Sequence, residues 1–192
     1  MTAAAGSKFL TWGTLDGRLL EIVRVASFER GLRATGTIVR AGRYGASYNL
    51  IVGADGVVRR LVVRTESADG PRSLSLTRNP DGNWVSESNS GSSPMPSLAK
   101  AEDVYLRGSV FAACLPIMRT GLYKEVTSVS GITADVHLPS LTVEPAEHHG
   151  TTTELSDQGA RIHYSGAFSD RELLVDGEGY LIRVEGLVQR LD

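Results

Sequence analysis

The chain has 192 residues, 41% hydrophobic and 22% charged, which is enough apolar material for one domain with a sizeable core. A net charge of −2 at pH 7 lacks the strong basic excess of a nucleic-acid-binding protein. The single cysteine, Cys114, excludes an intramolecular disulfide and any cysteine-based metal cluster.

From Met1 to Lys8 no basic region precedes an apolar one, so no signal peptide is expected. The longest uncharged apolar stretch, 109–118, is about half of the roughly 20 residues that cross a bilayer. The expectation is a cytoplasmic chain without a membrane span. Abundant glycine, 21 residues against 7 prolines, predicts strands joined by tight turns. Asp16-Gly17, Asp55-Gly56, Asp69-Gly70, Asp81-Gly82 and Asp176-Gly177 each flank runs with strand character, and Asp-Gly suits a hairpin because both positions tolerate positive φ.

Residues 19–28 are apolar on both parities and are expected near the centre of the fold. Tyr44, Ala46, Tyr48, Leu50 and Val52 alternate with more polar neighbours, the pattern of a strand with one face buried. Charge is unevenly spread. Eight arginines and two acids lie between Ile22 and Arg64, whereas eleven acids and four arginines lie from Asp135 onward. Either the two regions neutralise each other across a closed sheet, or one end carries a positive field suited to an anionic head group. Residues 86–96, rich in Ser, Gly and Pro, read as a loop.

One segment breaks the β pattern. Ser109 is an N-cap candidate, Gly121 a C′ candidate, and nothing between them is charged before Arg119. A helix apolar on every side must be enclosed by protein, with Pro116 predicted to kink or split it. The fold class expected is mainly β: one domain, 1–192, in which a many-stranded antiparallel sheet rolls around a single short buried α-helix. Further strands follow. Ile132, Ala134, Val136 and Leu138 alternate with Thr133, Asp135 and His137, which are assigned to the wet face. Ala160, Ile162 and Tyr164 alternate with Arg161 and His163, and Tyr180, Ile182 and Val184 with Leu181 and Arg183.

Leu115-Pro116-Ile117-x-Arg119-x-Gly121-Leu122, followed by Leu141-Thr142-Val143-Glu144-Pro145, resembles the putative glycolipid-binding family of bacterial proteins. Supporting matches are Trp12, Asp81-Gly82-x-Trp84, Tyr164, Phe168, Val175-Asp176-x-x-Gly179 and Gly186-Leu187-Val188-x-Arg190. The resemblance implies a spiral β-roll around one helix and the binding of a lipid or glycolipid. Where the family carries a Pro-Phe-Thr-Asn-Thr run before Leu-Pro-Ile, this chain has Val110-Phe111-Ala112-Ala113-Cys114. If those polar side chains serve a ligand, this chain binds something less polar or nothing at all.

Chemistry-bearing motifs are few. Glu147-His148-His149 is the densest group of metal-ligand types. On a strand its two histidines point to opposite faces, and Gly150 suggests a strand end, so no metal site is expected. Ser97-Leu98-Ala99-Lys100 matches Ser-x-x-Lys without the Ser-Asp-Asn and Lys-Thr-Gly partners that chemistry needs. No nucleophile elbow, P-loop or dinucleotide fingerprint is present. Cys114 reads as an inert core thiol, and neither an enzyme nor a cofactor is expected. The expected function is non-enzymatic binding of an amphipathic small molecule, a lipid or glycolipid, in a cleft between sheet and helix. Arg119 and Glu144 would meet its polar part, or else pair with each other or cap the helix. Phe111, Leu115 and Tyr164 would line the apolar part, with Trp84 as stacking surface. The alternative is a protein-interaction or scaffold domain whose helix fills the roll.

Overall fold

A computed structural model describes residues 6–88, 91–166 and 170–192; Phe168, one of the matched positions, lies outside the described residues. The first half is an antiparallel meander of β1 (Gly6–Thr14), β2 (Leu19–Phe28), β3 (Gly31–Arg40), β4 (Tyr44–Gly53), β5 (Val58–Ser67), β6 (Gly70–Arg78), β7 (Trp84–Ser88) and β8 (Gly91–Pro94). After a 3₁₀ turn at Pro96–Leu98 come β9 (Ala101–Leu106), the helix α1 (Val110–Thr120) and β10 (Ser128–Val136). The chain closes with β11 (Val143–Ser156), β12 (Gly159–Ser165), β13 (Arg171–Val175), β14 (Leu181–Val184) and β15 (Val188–Arg190).

Among the described residues fifteen strands form one sheet in the order β8 to β1, then β15 down to β9. The seam is the antiparallel pairing of β1 with β15, in which Trp12 faces Arg190. Pairing is antiparallel throughout except between β9 and β10, for which α1 is the crossover. All five Asp-Gly pairs fall at hairpins, and Gly17, Gly56, Gly70 and Gly82 take positive φ. Residues 86–96 differ from the loop expectation: their described part is largely the β7–β8 hairpin, because serine hydroxyls suit an exposed edge strand as well as a loop.

The helix forms where the caps place it. Ser109 Oγ accepts the Ala112 N–H at 3.0 Å, and Gly121, at φ 74°, donates its N–H to Ile117 O. Pro116 neither splits nor ends it, since the helix runs unbroken from Val110 to Thr120. Val110 through Ile117 are all buried, so the sheet does roll around an enclosed helix. Phe111 stacks on Tyr180 with ring centroids 6.3 Å apart, and Cys114 Sγ accepts the Leu181 N–H at 3.3 Å. Burial pushes the Cys114 thiol far up, out of any nucleophilic range.

Parity assignments change in three strands, and in β14 it is Leu181 that is fully buried and Ile182 only partly, next to a register shift against β13. In β2 the core side belongs to Leu19, Glu21, Val23 and Val25, while Leu20 and Ile22 point outward. In β10, Thr133 and Asp135 are as buried as Ala134 and Val136. Apolar core lies on the side of Ala134 and Val136, and the helix covers the side of Thr133 and Asp135, so neither parity is wet. Among the described residues no helix is long and apolar enough to cross a membrane.

Candidate binding cavity beneath the helix

Where α1 borders β9–β12 ahead of Arg119 it presents small side chains, Ala112, Ala113 and Pro116. Between them and the sheet lies a cavity of about 450 Å³. Strand pairing assembles its opposite wall. Thr133 pairs with Ala146 of β11, and Asp135 pairs with Tyr105 of β9. His148, two residues beyond Ala146, and Tyr164 of β12 complete it. Polar groups crowd this wall, with Thr133, Asp135 and His148 all buried along it.

Its anchors are charged. Arg107, just after β9, holds Asp135 Oδ2 through Nε at 2.8 Å and Nη2 at 2.7 Å, and its Nη2 reaches Glu144 Oε1 at 3.5 Å. His137 Nε2 lies 2.7 Å from the same Glu144 oxygen. Asp135, His137 and Glu144 offer ligand atoms within 4.8 Å of one another. The Arg107 guanidinium, however, already bridges the two carboxylates where a cation would sit.

His148 is 4% exposed, and its ring lies 5.7 Å from that of Tyr164 at an interplanar angle of 17°. It is accommodated because residue 131 is glycine: a Cβ there would stand 2.5 Å from His148 Nε2. Burial, then the nearby charge of Arg119, draws the His148 pKa down from its ordinary 6.5 to about 4, so the ring is neutral near pH 7. Among the described residues neither ring nitrogen has a hydrogen-bond partner, nor does Asp135 Oδ1. A buried polar atom left unpaired costs about 1–3 kcal/mol, and this cavity wall carries three.

The site residues expected from sequence are dispersed. Tyr164 lies on the cavity wall. Glu144 is exposed outside the lining and is tied to the wall through Arg107 and His137. Arg119 does not meet Glu144. Its Nε and Nη2 hold Asp103 Oδ2 at 3.0 and 2.8 Å, and its Nη1 meets Glu102 at 2.8 Å. With Leu115 it borders a separate, smaller cavity of about 220 Å³ near Gly56. Phe111 and Trp84 are sealed in the core, where Trp84 Nε1 donates to Ala101 O at 3.0 Å. His163 is a surface residue paired with Asp170, as its parity suggests. Glu147-His148-His149 lies inside β11 rather than at a strand end, with His148 buried and His149 exposed. Sequence reasoning missed Tyr105, Arg107, Thr133, Asp135 and His148. The available signal was polarity at strand positions on the second parity of β9 and β10, which also describes an ordinary wet face.

A sheet rolled about one enclosed helix, with a polar cavity beneath it, defines the protein as a spiral β-roll. The chain belongs to the family described as Putative glycolipid-binding, whose model matches residues 9–190. Among solved structures it is similar to a DUF1089-family protein from Pseudomonas aeruginosa, with 24% identity and a TM-score of 0.66 over 100% of this chain and 95% of that one. It also aligns with a beta-barrel-like protein of the DUF1849 domain of unknown function from Brucella abortus, with 7% identity and a TM-score of 0.45 over 97% and 96% of the two chains. No curated protein sequence matches the chain.

Proposed function

We propose that the protein is a non-enzymatic binder of an amphipathic ligand of the glycolipid kind, and that the ligand's polar head enters the cavity between α1 and β9–β12. The observation that carries this reading is the set of buried atoms on the cavity wall that have no partner among the described residues, Asp135 Oδ1 and the two His148 nitrogens. A polyhydroxylated head satisfies them: sugar hydroxyls donate to a carboxylate oxygen, and both donate to and accept from a neutral imidazole. Tyr164 and Tyr105 add ring surface for a sugar. A cavity of about 450 Å³ is of the size usual for small-molecule sites. Its mixed lining suits a head group better than an acyl chain.

Binding without turnover fits the wall's chemistry. Asp135 is held by Arg107, and the Thr133 hydroxyl donates to Ala146 O rather than to a base. The scaffold alternative needs a helix that fills the roll, whereas Ala112 and Ala113 leave space. The test is uptake of a fluorescent monoglycosyl diacylglycerol by the native protein and by Ala113→Leu, which fills the cavity with an apolar side chain. The native protein should retain the lipid and the filled variant should release it while still folding. Equal retention by both would sink the cavity as the binding site.

A further inference from the structure

The outer face of the first meander carries large apolar side chains that no other part of the described chain covers. Phe9 is 65% exposed, Leu191 54%, Val39 48%, Ile22 43% and Leu20 39%. They form one strip. Gly13, Leu20 and Val39 are successive cross-strand neighbours, as are Thr11, Ile22 and Thr37 one pleat along, and Phe9 lies beside Arg24. Leu191 joins the strip by lying over Gly13, its Cδ1 3.2 Å from where a Cβ would stand.

Around the strip the same face is cationic. Arg24, Arg33, Arg60 and Arg64 are exposed on β2, β3 and β5, and among the described residues none of them makes an ion pair. The only acids in β1 through β6 are Glu66, which is exposed, and Glu21, which points into the core. Four arginines without an ion pair, against the one exposed Glu66, beside five protruding apolar side chains make an amphipathic surface with a cationic excess. The five stand out from a sheet that curves away, which suits a fluid plane better than a pocketed protein partner.

We propose that this face docks on an anionic lipid surface. Phe9, Leu20, Ile22, Val39 and Leu191 enter the head-group region, while Arg24, Arg33, Arg60 and Arg64 meet lipid phosphates. Apolar insertion and cation attraction add in such contacts, and the electrostatic part is screened by salt. The proposal does not depend on the cavity beneath the helix.

Co-sedimentation with vesicles of phosphatidylcholine alone, and of phosphatidylcholine mixed with phosphatidylglycerol, tests it. The protein should bind the mixed vesicles, ignore the neutral ones, and lose binding as salt rises. Replacing Arg24 and Arg33 together by Gln should lower partitioning about 25-fold, at about fivefold per arginine. Phe9→Ser with Ile22→Ser should weaken it even at low salt. Circular dichroism checks that these surface variants fold, and the pair Arg60→Gln and Arg64→Gln replaces any that does not. Ala113→Leu should bind vesicles like the native protein. Equal binding to both vesicle types, unchanged partitioning in the variants, or loss of binding in Ala113→Leu would each overturn the proposal. So would a strip buried by self-association, seen as a dimer in sedimentation velocity with no vesicle binding.

Discussion

Glu21 Oε1 accepts a 2.6 Å hydrogen bond from Ser109 Oγ, joining residues 88 positions apart. The same carboxylate accepts the Tyr48 hydroxyl at 2.7 Å and the backbone N–H groups of Val110 and Phe111. A strand of the first meander therefore caps the buried helix, placing a negative charge at the positive end of its dipole. Burial raises the Glu21 carboxyl above its ordinary value, and the four donors oppose that rise. Glu21→Leu should leave several buried donors unpaired and lower stability by at least about 3 kcal/mol in urea melts. Glu21→Gln keeps the shape and an acceptor and should cost less. Equal, small losses for both would mean the helix is held without this cap.

The partner of Arg119 is Asp103, which is fully buried. Arg119→Met should strand that carboxylate and cost about 3–5 kcal/mol, with much of the loss recovered in the double variant Arg119→Met, Asp103→Leu. Glu144, more than half exposed in its ion pairs, should behave differently. Glu144→Gln is expected to change stability by no more than about 1 kcal/mol. A thermodynamic cycle on the native protein, Arg119→Met, Asp103→Leu and the double variant checks the pair, additivity of the two single losses would refute it, and a melt of Glu144→Gln checks the contrast.

His148 sets an acid sensitivity. Its pKa in the fold, about 4, lies below its ordinary 6.5, so the unfolded chain takes up the proton first as pH falls. The stability from keeping the ring neutral is complete above about pH 6.5 and is lost as pH drops toward about 4. The melting temperature of the native protein should therefore fall more steeply through this window than that of His148→Gln. Parallel curves would mean the ring titrates normally and is not buried as described.

Leu115 is 2% exposed on the enclosed helix. Leu115→Ala should cost about 2–5 kcal/mol, the range for a large-to-small change in a packed core. A loss within the noise of a denaturant melt would place the helix at the surface.

Much of the fold was legible in the order of residues. Asp-Gly turns mark hairpins because their backbone needs are local, and Ser109, Gly121 and the uncharged run between them mark a buried helix for the same reason. The binding cavity was not legible. Period-two alternation separates the two faces of a strand but does not say what covers either one. Asp135 and Thr133 read as a wet face because nothing local shows that α1 will return over them. Glu21 was hidden inside an apolar run for the same reason.

The sequence by itself determined the class of fold, the position of the helix and its ends, and the family resemblance, since each rests on contacts within a few residues or on motifs read in order. Tertiary structure alone decided that Arg119 meets Asp103 rather than Glu144, and that Arg107, Asp135, His148 and Tyr164 share one cavity. Those neighbours come from strands brought together by the register of a rolled sheet. Charge and polarity along a chain name candidates for pairing, but only the closed geometry, with water excluded, selects the partner each buried charge must have.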